Sequence, residues 1–220
     1  MAPRYALLAA TLLALAACGP AKKSGTAPTK APAAAAEAPA LVTRKTADGR
    51  IDRFTPHVGG PLALDEFSVG PLMAQTEFSM EAVKPRFPKA TVQGVFMRQD
   101  GAPSTLMGIT VTQGGGVIEI QGNPGTVLVG DIRVTGGTPV GPRGETLRMK
   151  FADADMDYER CRMGEGRDRH TVICFQPGEA VLRYVFDVPG WTTDVLPPLD
   201  ALRQKALLSG FIWKGGAPAI

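Results

Sequence analysis

From Thr91 to Val134 the chain repeats one pattern, short apolar stretches with side chains on alternating faces, broken by glycine-rich turns. That is how half-buried strands read. Thr91–Arg98 places Val92 and Phe96 on one face and Val95 and Met97 on the other. Leu106–Thr112 follows Gln99-Asp100-Gly101-Ala102-Pro103, a turn containing the Asp-Gly hairpin signal. Gly114-Gly115-Gly116 turns the chain into Val117–Ile120, and Asn123-Pro124-Gly125 turns it into Thr126–Val134. These strand candidates predict an antiparallel meander. Thr171–Phe175 and Val181–Asp187 read as two later strands.

Helix signals are fewer. Ser79 caps a short segment, with Phe78 stapling onto Val83 and with Met80, Val83 and Phe87 spaced i, i+3, i+7. Pro85 and Pro88 keep it short. Glu145–Ala152 is a second candidate, with Leu147 and Phe151 at i, i+4, and Leu199–Ala206 after Pro197-Pro198 is a third. The alternation predicts an α+β fold, an antiparallel sheet meander with two or three short helices. Gly70-Pro71-Leu72 before the first helix and Gly141-Pro142 before the second suggest a duplicated helix-plus-hairpins unit.

The N-terminus reads differently. Residues 1–17 carry Arg4, an apolar run from Ala6 to Ala17 and small residues before Cys18, the pattern of a secretory signal. The run is shorter than the ~20 residues that cross a bilayer. Leu15-Ala16-Ala17-Cys18 resembles the lipobox of bacterial lipoproteins. That resemblance implies acylation of the Cys18 thiol, cleavage before it and acylation of the new amine. Two or three acyl chains, at ~0.8 kcal/mol per buried CH₂, anchor stably. Gly19 stands where Asp would signal inner-membrane retention, so sorting by the same resemblance leads to the outer membrane, periplasmic face. With Cys18, the 22 residues Gly19–Ala40 form a tether (18–40); they hold nine Ala, four Pro and three Lys and no large apolar residue. Such a segment cannot bury enough surface to order itself, and its reach lies between roughly 25 Å and roughly 70 Å. Residues 41–220 are expected to fold as one periplasmic domain.

Net charge is +3 over 220 residues. The surplus is Arg4, Lys22, Lys23 and Lys30 against Glu37, so the folded part is neutral and no nucleic-acid footprint exists. Gly and Pro, 26 and 19, make up roughly a fifth of the chain, which favours strands and turns.

With Cys18 lipidated, Cys161 and Cys174 remain as an even pair in an oxidising compartment. They flank a connection containing Gly164 and Gly166, which suits a disulfide across a hairpin. The sharper alternative is a metal site of Cys161, His170 and Cys174 with Asp168, though the spacing matches no strong zinc pattern. Asp153, Asp155 and Asp157 alternate as in a calcium loop, but Tyr158 stands where the turn needs Gly and Gly164 where the bidentate Glu belongs. None of the serines sits in a G-x-S-x-G elbow. Gly136–Gly141 has P-loop glycine spacing without the Lys or Ser/Thr. Trp191 and Trp213 read as core or rim packing, with a ligand groove as the alternative. No catalytic residue, metal or cofactor is assigned.

Cys161, Val172-Ile173-Cys174, Tyr184-Val185-Phe186, Gly190-Trp191, Leu196-Pro197, Leu202-Arg203 and Phe211-Ile212-Trp213-Lys214 resemble the RpoE-regulated outer-membrane lipoproteins (YfeY-like). Gly70-Pro71-Leu72, Phe78, Gly125-Thr126 and Ile132 extend the likeness upstream, over about 150 residues from Phe67 to Lys214. The chain departs from the pattern after Gly141: Gly144 replaces a large apolar residue, and the segment to Cys161 is longer. The resemblance implies an α+β lipoprotein of the envelope-stress response with no known catalytic activity. The expectation is therefore a non-enzymatic envelope-maintenance role, bound to the membrane through Cys18 and to a periplasmic protein or peptidoglycan. The alternatives are a carboxylate-based envelope hydrolase and a lipid or small-molecule carrier.

Overall fold

The computed structural model describes residues 39–98, 104–176 and 181–215. The signal segment, Cys18, nearly all of the tether and the Gln99–Pro103 turn lie outside them. The described chain opens with a hairpin of β1 (Val42–Lys45) and β2 (Ile51–Phe54). Three two-residue strands follow, β3 (Leu62–Ala63), β4 (Ser68–Val69) and β5 (Leu72–Met73). Helix α1 (Met80–Val83) leads into the meander β6 (Thr91–Met97), β7 (Thr105–Gln113), β8 (Gly116–Gly122) and β9 (Val129–Gly136). The short β10 (Pro139–Val140) precedes β11 (Cys161–Met163), β12 (Thr171–Cys174) and β13 (Leu182–Asp187). Helix α2 (Leu199–Lys205) and β14 (Leu207–Lys214) close the domain.

Eight strands form one antiparallel sheet in the order β11-β12-β13-β14-β9-β8-β7-β6. Each half is a meander, and the halves meet where β14 pairs β9, with Phe211 opposite Val134 and Ile212 opposite Arg133. Period-two alternation then sorts the side chains. Ile109, Val111, Ile118, Ile120, Ile132, Val134, Tyr184, Phe186, Phe211 and Trp213 all point to one face and are buried. Leu62, Leu64, Val69, Leu72, Val83, Phe87, Phe151 and Leu202, from the segments outside the sheet and from α2, close over that face. The other face carries charged residues and a small separate cluster of Ile173, Val185 and Ile212.

The expected α+β class is overturned: the described chain is mainly β, with α1 and α2 its only α-helices. Two of the three helix expectations hold locally. Ser79 caps α1, its Oγ accepting from the Ala82 N–H at 3.1 Å, and Pro85 stops it in a 3₁₀ turn at Lys84–Arg86. Helix α2 follows Pro198. Glu145–Ala152 is not a helix. Its N–H groups turn instead to the stretch leading into and along β14, Arg148 to Leu208 O at 2.7 Å and Phe151 to Ala206 O at 3.1 Å. Arg148 has a positive φ, which breaks any helical run. The i, i+4 spacing of Leu147 and Phe151 arises from this irregular path, and Phe151 packs edge-on against Phe186. A duplicated helix-plus-hairpins unit is therefore not what forms: the meander occurs twice, but α1 precedes the first copy and α2 interrupts the second.

The first hairpin is held down by charge. Arg86, 1% exposed, pairs with Asp52, donates to the carbonyls of Ala82 at 2.6 Å and Pro71 at 3.2 Å, and lies 4.0 Å from the centre of the Phe54 ring.

Candidate functional site

Cys161 and Cys174 sit directly opposite each other on β11 and β12 and are joined by a disulfide. That bond uses up both thiols of the alternative metal set. Asp168 accepts from Arg133, and His170 lies 3.8 Å from Asp194. The acidic alternation dissolves into turns, where Asp157 caps a 3₁₀ helix by accepting from the Glu159 N–H at 3.1 Å. Trp213 is buried with its N–H directed to Glu66 O at 3.3 Å, and Trp191, half-buried, donates to Val195 O at 2.8 Å. Both are packing residues. Cys18 lies outside the described residues.

A cleft of about 200 Å³ opens where β8 begins and β9 ends. Its floor is Leu62, Ile118, Val134 and Pro139, and its rim holds His57, Gln113 and Thr138. Glycines make the rim by necessity: a Cβ on Gly136, already at positive φ, would stand 2.5 Å from the Gly115 carbonyl oxygen. Burial lowers the His57 pKa from its ordinary value. The cleft is smaller than the roughly 300–1,000 Å³ of drug-sized ligand sites. Among the described residues, carboxylates do not converge in it. The carboxylates with depressed pKa are Asp48, hydrogen-bonded by Thr46 and then Arg50, and Asp194, hydrogen-bonded by Arg169, and both are exposed.

The most unusual surface is the sheet edge at β6. Only β7 pairs with it among the described residues. Its sequence, Thr-Val-Gln-Gly-Val-Phe-Met, contains no charge and no proline, two of the devices that normally blunt an edge. Val95 and Phe96 are each 54% exposed, and Met97 and Met107 are exposed beside them. A shift in register between Val95 and Phe96 twists the strand there. Phe96 and Leu106 extend the apolar face beyond the segments that cover it, the Phe96 ring lying over Gly94, where a Cβ would meet it at 2.6 Å. The sequence reading placed these residues on a strand. It had no means of placing that strand at an edge, because edge position depends on what else pairs.

These features define a mainly β protein, an eight-stranded antiparallel sheet with one covered face, a disulfide joining β11 and β12 at one edge and an apolar strand, β6, at the other. The fold is similar to that of the uncharacterized protein YfeY from Escherichia coli, whose crystal structure matches at a TM-score of 0.54 and 19% identity, covering 70% of this chain and 99% of that one. The YfeY-like resemblance in the sequence thus holds for the fold. No family model and no curated protein matches the chain.

Proposed function

We propose that the chain is a lipoprotein anchored through Cys18 on the periplasmic face of the outer membrane, serving envelope maintenance by binding a periplasmic protein. The observation that carries the binding reading is the β6 edge, uncharged, with exposed apolar side chains and no strand on its outer side among the described residues. An extended segment of a partner fits there as an added strand, main-chain hydrogen bonds supplying affinity and the Val95 and Met97 side chains specificity. The Leu15–Cys18 lipobox supports the anchor, and the Cys161–Cys174 bond supports an oxidising compartment. A tether raises the effective concentration of such an edge near the membrane.

Two measurements test the two halves separately. Cells fed a labelled fatty acid are expected to label the wild-type chain and not Cys18→Ser; an unlabelled wild type removes the anchor. A photo-crosslinking amino acid in place of Gln93 is expected to trap a discrete periplasmic partner, with the yield collapsing in Val95→Lys. A crosslink unaffected by Val95→Lys, or none at all, removes the edge as the binding site.

A further inference from the structure

The polar face of the sheet is nearly self-neutralised. Arg133 pairs with Asp168, Arg167 with Glu119 and Lys214 with Asp131. Arg183 on β13 and Arg162 on β11 break that rule. Neither has a carboxylate within salt-bridge distance among the described residues. Arg183 is half-buried, and its pKa is lowered first by that burial and then by repulsion from Arg162, with attraction to Asp131 acting the other way. An arginine partly withdrawn from water beside a second cation is less favourable than one paired with an anion.

The surroundings of Arg183 suit such an anion. It lines a cavity of about 400 Å³ with Gln121, Asn123, Asp131 and Lys214 around it. The side-chain amides of Gln121 and Asn123 make no hydrogen bond among the described residues and offer N–H donors. Asn123 is held at this rim by close backbone approach: a Cβ on Gly130 would stand 2.8 Å from the Asn123 backbone, so only glycine lets the loop lie against β9. Asp131 opposes an anion, but it is already engaged by Lys214, and the three ionised groups at the cavity leave a single net positive charge.

We propose that this cavity binds one monoanionic oxygen group, a carboxylate or a phosphodiester, with the Arg183 guanidinium as the principal contact and the Gln121 and Asn123 amides as supporting donors. A guanidinium fork matches two oxygens of either group. Both chemistries are abundant in polymers and lipids, and the single net charge favours them over a dianion. The site lies over β8, β9, β14 and β13, with β7 between it and the β6 edge, and does not depend on the binding reading made there.

The full chain in non-ionic detergent micelles, titrated with acetate, with dimethyl phosphate and with chloride at matched ionic strength, tests this. Backbone amide signals of Gly122, Gly130 and Lys214 report binding. Saturation is expected with acetate, dimethyl phosphate or both, and whichever saturates identifies the group. Arg183→Gln is expected to weaken it about tenfold or more, as loss of a charge-assisted hydrogen bond does. Arg183→Lys, which keeps the charge and loses the fork, is expected to fall between. An unchanged urea midpoint for each variant shows that the fold is intact. Val95→Lys at the sheet edge is expected to leave the titration unaltered. Shifts that merely follow chloride, or that survive in Arg183→Gln, overturn the proposal.

Discussion

Removing the Asp52 carboxylate is expected to cost more than removing the arginine it serves. The Arg86 side chain is 2% exposed and that of Asp52 19%. In Asp52→Ala the guanidinium keeps its two carbonyl acceptors, Ala82 and Pro71, and its place over Phe54. It loses the carboxylate that pairs with it, Glu77 acting only at longer range, and the side chain is 2% exposed. Breaking a buried pair from one side costs about 3–5 kcal/mol; the retained acceptors and ring place this case near the lower end, about 3 kcal/mol. Arg86→Met instead fills the same space with apolar atoms and leaves Asp52, which turns toward solvent. What remains is two carbonyls short of a donor, about 2 kcal/mol in all at the low end for each, since Pro71 and Arg86 border an open cleft. The double variant is expected to resemble Arg86→Met alone, giving a coupling of about 2 kcal/mol or more. Urea melts of the full chain, with midpoint and slope measured for all four proteins, give these values. Asp52→Ala costing no more than Arg86→Met, or strictly additive losses, would refute the reasoning.

Cys161→Ala is expected to lower stability by about 2–5 kcal/mol, toward the low end because the strands it joins are already paired; urea melts with and without reductant measure it, and a wild type indifferent to reductant counts against it. His57 should make stability fall in mild acid. Its folded pKa lies below the ordinary 6.5 because it is partly buried, so the unfolded chain binds the proton first as pH drops. The stabilising contribution is complete above 6.5 and is lost as pH falls from there through the folded value. Urea midpoints between pH 7.5 and pH 5 are expected to fall less in His57→Gln than in the wild type, and equal slopes would contradict the assignment.

Strands of the first meander were legible because their alternation is local: Val92, Val111, Ile118 and Val134 announce their faces within a few residues. The cap at Ser79 was legible for the same reason, since its bond to Ala82 spans three residues. Glu145–Ala152 was misread because an i, i+4 apolar pair is compatible with any path that brings both side chains to one side, and the deciding partners, Ala206 and Leu208, lie more than fifty residues away. The short strands β1 to β5 were missed because most are too brief for a period to show.

By itself the sequence determined the strand-rich composition of the meander, the cysteine pairing across a hairpin and the YfeY-like resemblance, since each depends on residue type and near spacing. Tertiary structure alone decided that β14 inserts beside β9, joining two meanders into one sheet, and that β6 is therefore left at an edge with Val95 and Phe96 uncovered. It alone decided which arginines formed salt bridges and that, among the described residues, Arg183 did not. Long-range pairing is a contest among all strands at once, and a local pattern records which face a residue prefers but not which neighbour will cover it.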